Sequence, residues 1–274
     1  MLSTAKWITV TNKKIDGVSH FLFRKTFDTV KTDGVKVTVA AKDFFLLYIN
    51  GFFIAKGTAA KSKDVNCYTF NIEDYLFEGE NTIAIHTVSR DGKNGVIARI
   101  YEGNNNICVT DEDWRCLKHD GYSFDKTADT PLFFEVYDAR SECVEFELNF
   151  YDDNSWYEAL LLENPPKFML SVAPAFKSPI KPIATKSDKN NITFDFGRIC
   201  NGRLFFCANG QKGGVAVINY FNDINDKHCS FPDALIFSGS DEDMLQLTFE
   251  RDFRFVEIVL PPKSTVVPDS ICIL

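Results

Sequence analysis

Apolar and polar residues alternate with a period of two through much of this 274-residue chain, and this pattern constrains the fold more than any single motif. Val35, Val37 and Val39 alternate with Lys36 and Thr38. Val144, Phe146, Leu148 and Phe150 alternate with Glu145, Glu147 and Asn149, and Leu245, Leu247 and Phe249 with Gln246 and Thr248. Successive side chains of a strand point to opposite faces, so each run reads as a half-buried strand. No window of helical length carries a comparable 3.6-residue stripe; the best helical segment is one turn over 72–76, closed by Gly79. The 26 phenylalanines suit pleated surfaces packed face to face. The expected fold class is all-β.

The run LLYINGFFIAKG, residues 46–57, is interrupted only by Asn50-Gly51. A two-residue Asn-Gly connection between strand formers is a strong hairpin signal, because both turn positions need positive φ and these two residues tolerate it. A structural turn is therefore expected here, rather than a loop that grips a ligand.

Charge excludes some partners. A net charge of -8 leaves no excess of Lys and Arg to neutralise phosphates, so neither nucleic acid nor an anionic membrane is expected. The start, MLSTAKWITV, has no basic region followed by an apolar stretch, and no run reaches a membrane-spanning length. A soluble, cytoplasmic chain is the expectation. Eight cysteines, at 67, 108, 116, 143, 200, 207, 229 and 272, are spread thinly and form no CxxC. His228-Cys229 and the Cys200/Cys207 pair lack zinc-site spacing, so reduced, mostly buried thiols are expected, with no metal and no cofactor.

The order of motifs is more specific than any one of them. FRKTF from Phe23, then VKVTVAAKDFFLLYINGFFIAKG, YTFNIEDYLFEGENTIAIHTV, DEDWRC, FFEVYDAR and FYDDNSWYEAL follow one another. This succession resembles the N-terminal, galactose-binding-like β-sandwich region of bacterial α-L-rhamnosidases of glycoside hydrolase family 78. EVYDAR at 135–140 and YDDNSW at 151–156 carry most of its specificity. Further on, NITFDFGRICNGRLFFCANGQKGGVAVINYF and LTFERDFRFVEIVL resemble the second sandwich of the same region. The resemblance implies two jelly-roll-like antiparallel β-sandwiches, over residues 1–162 and 191–274, with 163–190 as a linker. That linker contains five prolines and no periodic pattern.

The departures are Asn222 and Asp223 where relatives carry a glutamate after the tyrosine of the long strand, and Arg198 and Cys200 in GRICNG. In these relatives the catalytic carboxylates lie on an (α/α)6 barrel that follows the second sandwich, and this sequence stops at Leu274, where that barrel is expected to begin. The resemblance therefore implies a non-catalytic accessory module, with no catalytic residue to carry over. The alternatives are an α-L-rhamnosidase acting on rhamnose-containing glycans and a stand-alone carbohydrate-binding protein.

Sugar sites combine an aromatic face for C–H groups with carboxylate, amide or guanidinium groups for hydroxyls. Trp114 and Trp156, with Asp138, Arg140, Asp152 and Asp153, are the candidate carbohydrate-binding residues. The competing reading makes each tryptophan a plug in the sandwich, and each acid a turn cap or a partner for a nearby arginine such as Arg140. His86 in TIAIHTV is expected at the surface or hydrogen-bonded in place. Finally, the apolar end, with Val266, Val267, Ile271, Ile273 and Leu274, is expected either to fold back as a strand or to contact another chain, a second copy or a catalytic partner.

Overall fold

The computed structural model describes residues 2, 4–15, 17–30, 32–58, 64–90, 94–126, 133–143, 145–172, 178–225 and 231–274. Val144, His228 and Cys229 lie outside them. The fold is all-β: among the described residues the helical elements are three-residue 3-10 turns, one of them, Glu73–Tyr75, where a single turn was expected. None is long and apolar enough to cross a membrane.

The chain divides into two compact units, and they are not consecutive in sequence. The first comprises residues 1–119 and 143–176, the second 120–142 and 177–274. The segment 120–142 thus goes with the second unit, because Phe133–Asp138 pairs in parallel with Asp233–Ile236, with Tyr137 opposite Leu235. Nor is 163–190 a bare connector. Phe168–Leu170 pairs in parallel with Val65–Asn71 in the first unit, and Ala184–Asp188 pairs antiparallel with Asn191–Gly202 in the second. Every other ladder is antiparallel among the described residues.

In the first unit one sheet runs Leu160–Leu161, Ile8–Thr9, Val96–Glu102, Val35–Ala41, Val65–Asn71, Phe168–Leu170, with Asn105–Val109 also paired to Val96–Glu102. The other runs Tyr157–Glu158, Arg115–His119, Ser19–Thr29, Gly79–Ser89, Phe44–Ile49, Phe52–Gly57. The core contains the alternate residues the pattern selects: Phe21 and Phe23, Val35, Val37 and Val39, Phe45, Leu47 and Ile49, Ile83 and Ile85. The second unit has its own core of Phe194, Phe206, Ile218, Leu235, Leu245, Phe253, Val256 and Ile258.

Asn50 and Gly51 have φ of 51° and 84°, the paired positive values that their hairpin requires. The Asn50 side chain does more than tolerate the turn. Its Nδ2 donates to Tyr75 O and to Asn81 Oδ1, both at 2.8 Å, and its Oδ1 accepts from Thr82 N at 2.8 Å. Fully buried Asn81 in turn accepts from Phe77 N and donates to Phe77 O and Gly79 O. Two amides therefore tie a hairpin tip, a 3-10 turn and the turn before Gly79–Ser89.

One expected strand is absent. Residues 145–150 form successive turns, with Leu148 N bonded to Glu145 O and Tyr151 N to Leu148 O. Glu145 has φ of 64°, which an extended strand cannot contain. Leu148 rests on the hairpin glycine, where a Cβ added to Gly51 would meet its Cδ2 at 2.3 Å.

The cysteines expected to be buried are so at 67, 108, 116, 200, 207 and 272, while Cys143 is half-buried; all seven are free thiols. Burial pushes the Cys67 thiol up to about 11 and those of Cys108 and Cys116 up to about 12, which keeps them unreactive at neutral pH.

The apolar C-terminus folds back. Thr265–Val266 and Cys272–Ile273 both pair with Leu204–Asn209, and a 3-10 turn at Pro268–Ser270 joins them. Val266, Ile271 and Ile273 are buried. Gly202 permits this approach, since a Cβ there would stand 2.2 Å from Ile273 Cγ2. Burying three such side chains contributes about 1.5–3 kcal/mol each. Deleting residues 265–274 is therefore expected to lower the melting temperature of a monomer by more than about 10 °C. An unchanged melting temperature, or loss of a dimer instead, would contradict the back-folded tail.

Candidate functional site

The six residues selected from the sequence divide between the two units: Trp114, Asp152, Asp153 and Trp156 belong to the first, Asp138 and Arg140 to the second. Trp114 is fully enclosed in the first core, and its indole N–H donates to Val109 O at 2.8 Å. The ring offers no face to a ligand. Asp138 and Arg140 belong to the second unit and pair with each other. Arg140 Nε and Nη2 donate to the two Asp138 oxygens at 2.8 and 2.7 Å, and Asp138 Oδ1 also caps Arg140 N at 3.1 Å. The Arg140 hydrogen bond holds the Asp138 carboxyl below its ordinary range.

In the first unit Asp152, Asp153 and Trp156 lie together, directly after the turns that replace the expected strand. Asp152 caps Asn154 N at 3.0 Å. Trp156 is buried, stacked on Phe146 at 6.4 Å and edge-on to Tyr151 at 5.6 Å. Asp153 forms an ion pair with Arg24 of the strand Ser19–Thr29, and that guanidinium is what holds the segment down. Arg24 Nη1 donates to Tyr151 O at 3.1 Å and Nη2 to Leu148 O at 2.9 Å, while its charge lies 5.4 Å from the Tyr151 ring centroid. A planar fork with several donors suits this triple capture, which an ammonium could not reproduce.

Two titratable clusters escaped the sequence reading. In the second unit Glu135 and Asp233 are both fully buried. Asp233 receives Arg251 Nε at 2.8 Å, a second donor from the same guanidinium, and Glu135 N at 2.9 Å. Glu135 Oε1 accepts from Thr248 N at 2.8 Å, whereas Oε2 has no partner among the described residues. Burial, reinforced by the Asp233 charge, pushes the Glu135 carboxyl up to about 7. Burial raises the Asp233 carboxyl as well, with the Arg251 charge opposing the rise. The signal was present in FFEVYDAR: period-two parity puts Glu135 on the same face as buried Tyr137.

The first unit buries three histidines on neighbouring strands. His20 Nδ1 and His86 Nε2 are 2.9 Å apart, and the His86 and His119 rings are 5.8 Å apart. His86 is thus hydrogen-bonded in place, one of its two expected situations, and not at the surface. Burial, then the nearby His86 and His119, keep the His20 imidazole well below its ordinary value. Among the described residues no group of three His, Cys, Asp or Glu is placed to hold a metal ion.

Glu135 and Asp233 do not form an open hydrolytic pair. Glycoside hydrolysis requires two carboxyls flanking an accessible bond, and Glu135 and Asp233 expose no surface. What the charged motif residues accomplish here is local: they cap turns and pair with arginines.

No protein-family model and no curated protein matches this chain. Solved structures do match in fold. An α-L-rhamnosidase from Dictyoglumus thermophilum superposes with a TM-score of 0.75 at 22% identity, over 97% of this chain and 35% of its own. The native enzyme from Aspergillus terreus gives 0.78 at 16% identity, over 100% of this chain and 36% of its own. The Streptomyces avermitilis enzyme, solved with L-rhamnose, gives 0.73 at 15% identity, over 94% and 28%. This chain therefore has the fold of one part of α-L-rhamnosidases, and spans about a third of their length.

Two consequences can be measured. Removing Asp153 leaves the Arg24 charge buried, so Asp153→Ala is expected to cost about 3 kcal/mol in denaturant unfolding, against less than about 1 kcal/mol for Asp152→Ala. Equal small losses would contradict the clamp. For Glu135 the folded value exceeds the unfolded one, so protonation favours the fold: the contribution is complete below pH about 4.5 and is lost as pH rises towards about 7. Glu135→Gln removes that dependence and is expected to be the more stable protein at pH about 8. An unaltered pH profile in the variant would contradict the buried protonated carboxyl.

Proposed function

We propose that this chain is a non-catalytic β-sandwich module of an α-L-rhamnosidase-like, carbohydrate-processing protein. The observation that carries the proposal is the fold match across nearly the whole chain to about a third of three α-L-rhamnosidases. The internal pairing of the motif residues supports it. Asp153 is committed to Arg24, Asp138 to Arg140, and Trp114 to the core, so these groups build a rigid scaffold. Such a scaffold serves glycan processing by presenting or supporting a catalytic partner.

The test is turnover of an aryl α-L-rhamnoside by the purified chain. The release of the phenol is expected to equal that in buffer alone. Hydrolysis that survives repurification and disappears in Asp138→Ala or Asp152→Ala would overturn the module reading in favour of an autonomous hydrolase.

A further inference from the structure

The two-amide hub at the end of the first unit presents an apolar surface that nothing in the proposed scaffold role uses. Asn50 and Asn81 fix three segments at once, and each segment carries an aromatic ring there. Phe52, directly after the hairpin turn, is 50% exposed, and its ring lies 5.7 Å from that of Tyr75 in the 3-10 turn. Phe77, whose N–H and carbonyl are both held by Asn81, is 54% exposed. Clustered exposed aromatics on a rigid support have the composition of an interface core, and the hub removes part of the ordering cost that binding would otherwise incur.

The charges around these rings specify what fits them. Between residues 71 and 82 the sequence NIEDYLFEGENT contains four acids and no Lys or Arg. Asp74, Glu78 and Glu80 are exposed, and none has a cationic partner among the described residues. Glu80 stands directly opposite Asp28 in the ladder between Ser19–Thr29 and Gly79–Ser89, a like-charged pair that is unfavourable until a cation is brought to it. Small-ligand sites are concave, whereas these rings project from a hairpin tip and a single 3-10 turn. We infer that this end of the first unit docks a basic amphipathic segment of a partner protein, with apolar side chains on Phe52, Tyr75 and Phe77 and Lys or Arg on Asp74, Glu78 and Glu80. Neither the rhamnosidase-like reading nor the buried clusters is needed for it.

The experiment uses the full chain and two synthetic peptides of about twelve residues, one alternating Arg with Leu and one alternating Glu with Leu, followed by fluorescence anisotropy at about 0.05 M and about 0.5 M salt. Binding of the Arg–Leu peptide and not its acidic counterpart is expected. Phe52→Ala with Phe77→Ala, and separately Asp74→Lys with Glu78→Lys, are each expected to weaken it by about tenfold or more, with melting temperatures unchanged. Glu163→Lys, an exposed acid elsewhere on the same unit, serves as control and is expected to change affinity by less than about twofold. The inference is overturned if the Arg–Leu peptide does not bind, or if the control reversal weakens it as much as the patch variants do. It is equally overturned if the aromatic variants leave peptide binding intact while abolishing binding of free L-rhamnose, which would make the surface a sugar site.

Discussion

Where strands end, backbone groups lose their ladder partners, and in the first unit a pair of side-chain amides supplies them. Asn50 and Asn81 bond to one another at 2.8 Å and between them engage backbone groups of Tyr75, Phe77, Gly79 and Thr82. The register of the hairpin, the placing of the 3-10 turn and the entry into Gly79–Ser89 all depend on that contact. Because Asn81 is fully buried, losing it would strand donors and acceptors away from water, at about 1–3 kcal/mol for each unsatisfied group.

Charge is used inside this fold in the same way. Arg24 secures the turns of 145–156, and Arg251 secures Asp233 beside Glu135. The titratable clusters of the two units respond to pH in opposite senses. Glu135 favours the fold when protonated, so it stabilises the second unit towards acid. His20 favours it when neutral, so its contribution to the first unit is present above pH about 6.5 and is lost as pH falls. Two units with separate cores and opposed proton linkage need not unfold in one step.

The residues that sequence inspection reads well are those whose structure is decided by near neighbours. The alternation at Val35, Val37 and Val39 placed them correctly in the core, and Asn50-Gly51 is the turn that its chemistry requires. The prolines at 261, 262 and 268 marked a tail able to fold back. What escaped notice depends on distant pairing. Residues 120–142 belong to the second unit through a parallel ladder to Asp233–Ile236, about a hundred positions away, which no local pattern encodes. The alternation over 144–150 misled because Leu148 and Phe146 find apolar partners from a chain of turns as well as from a strand. The candidate site residues are ambiguous for a related reason: aromatic and acidic residues near strand ends suit a sugar, but they equally suit a core plug and an arginine.

The polar motif residues serve the fold itself. Hydrogen exchange followed by two-dimensional NMR in heavy water tests that role most directly, through the indole N–H of Trp114 and the side-chain amide protons of Asn50 and Asn81. All are bonded inside the first unit, so they are expected to outlast the backbone amide of exposed Ser155 by a factor of about a thousand or more. Exchange as rapid as that of Ser155 would show these groups open to water and contradict that role.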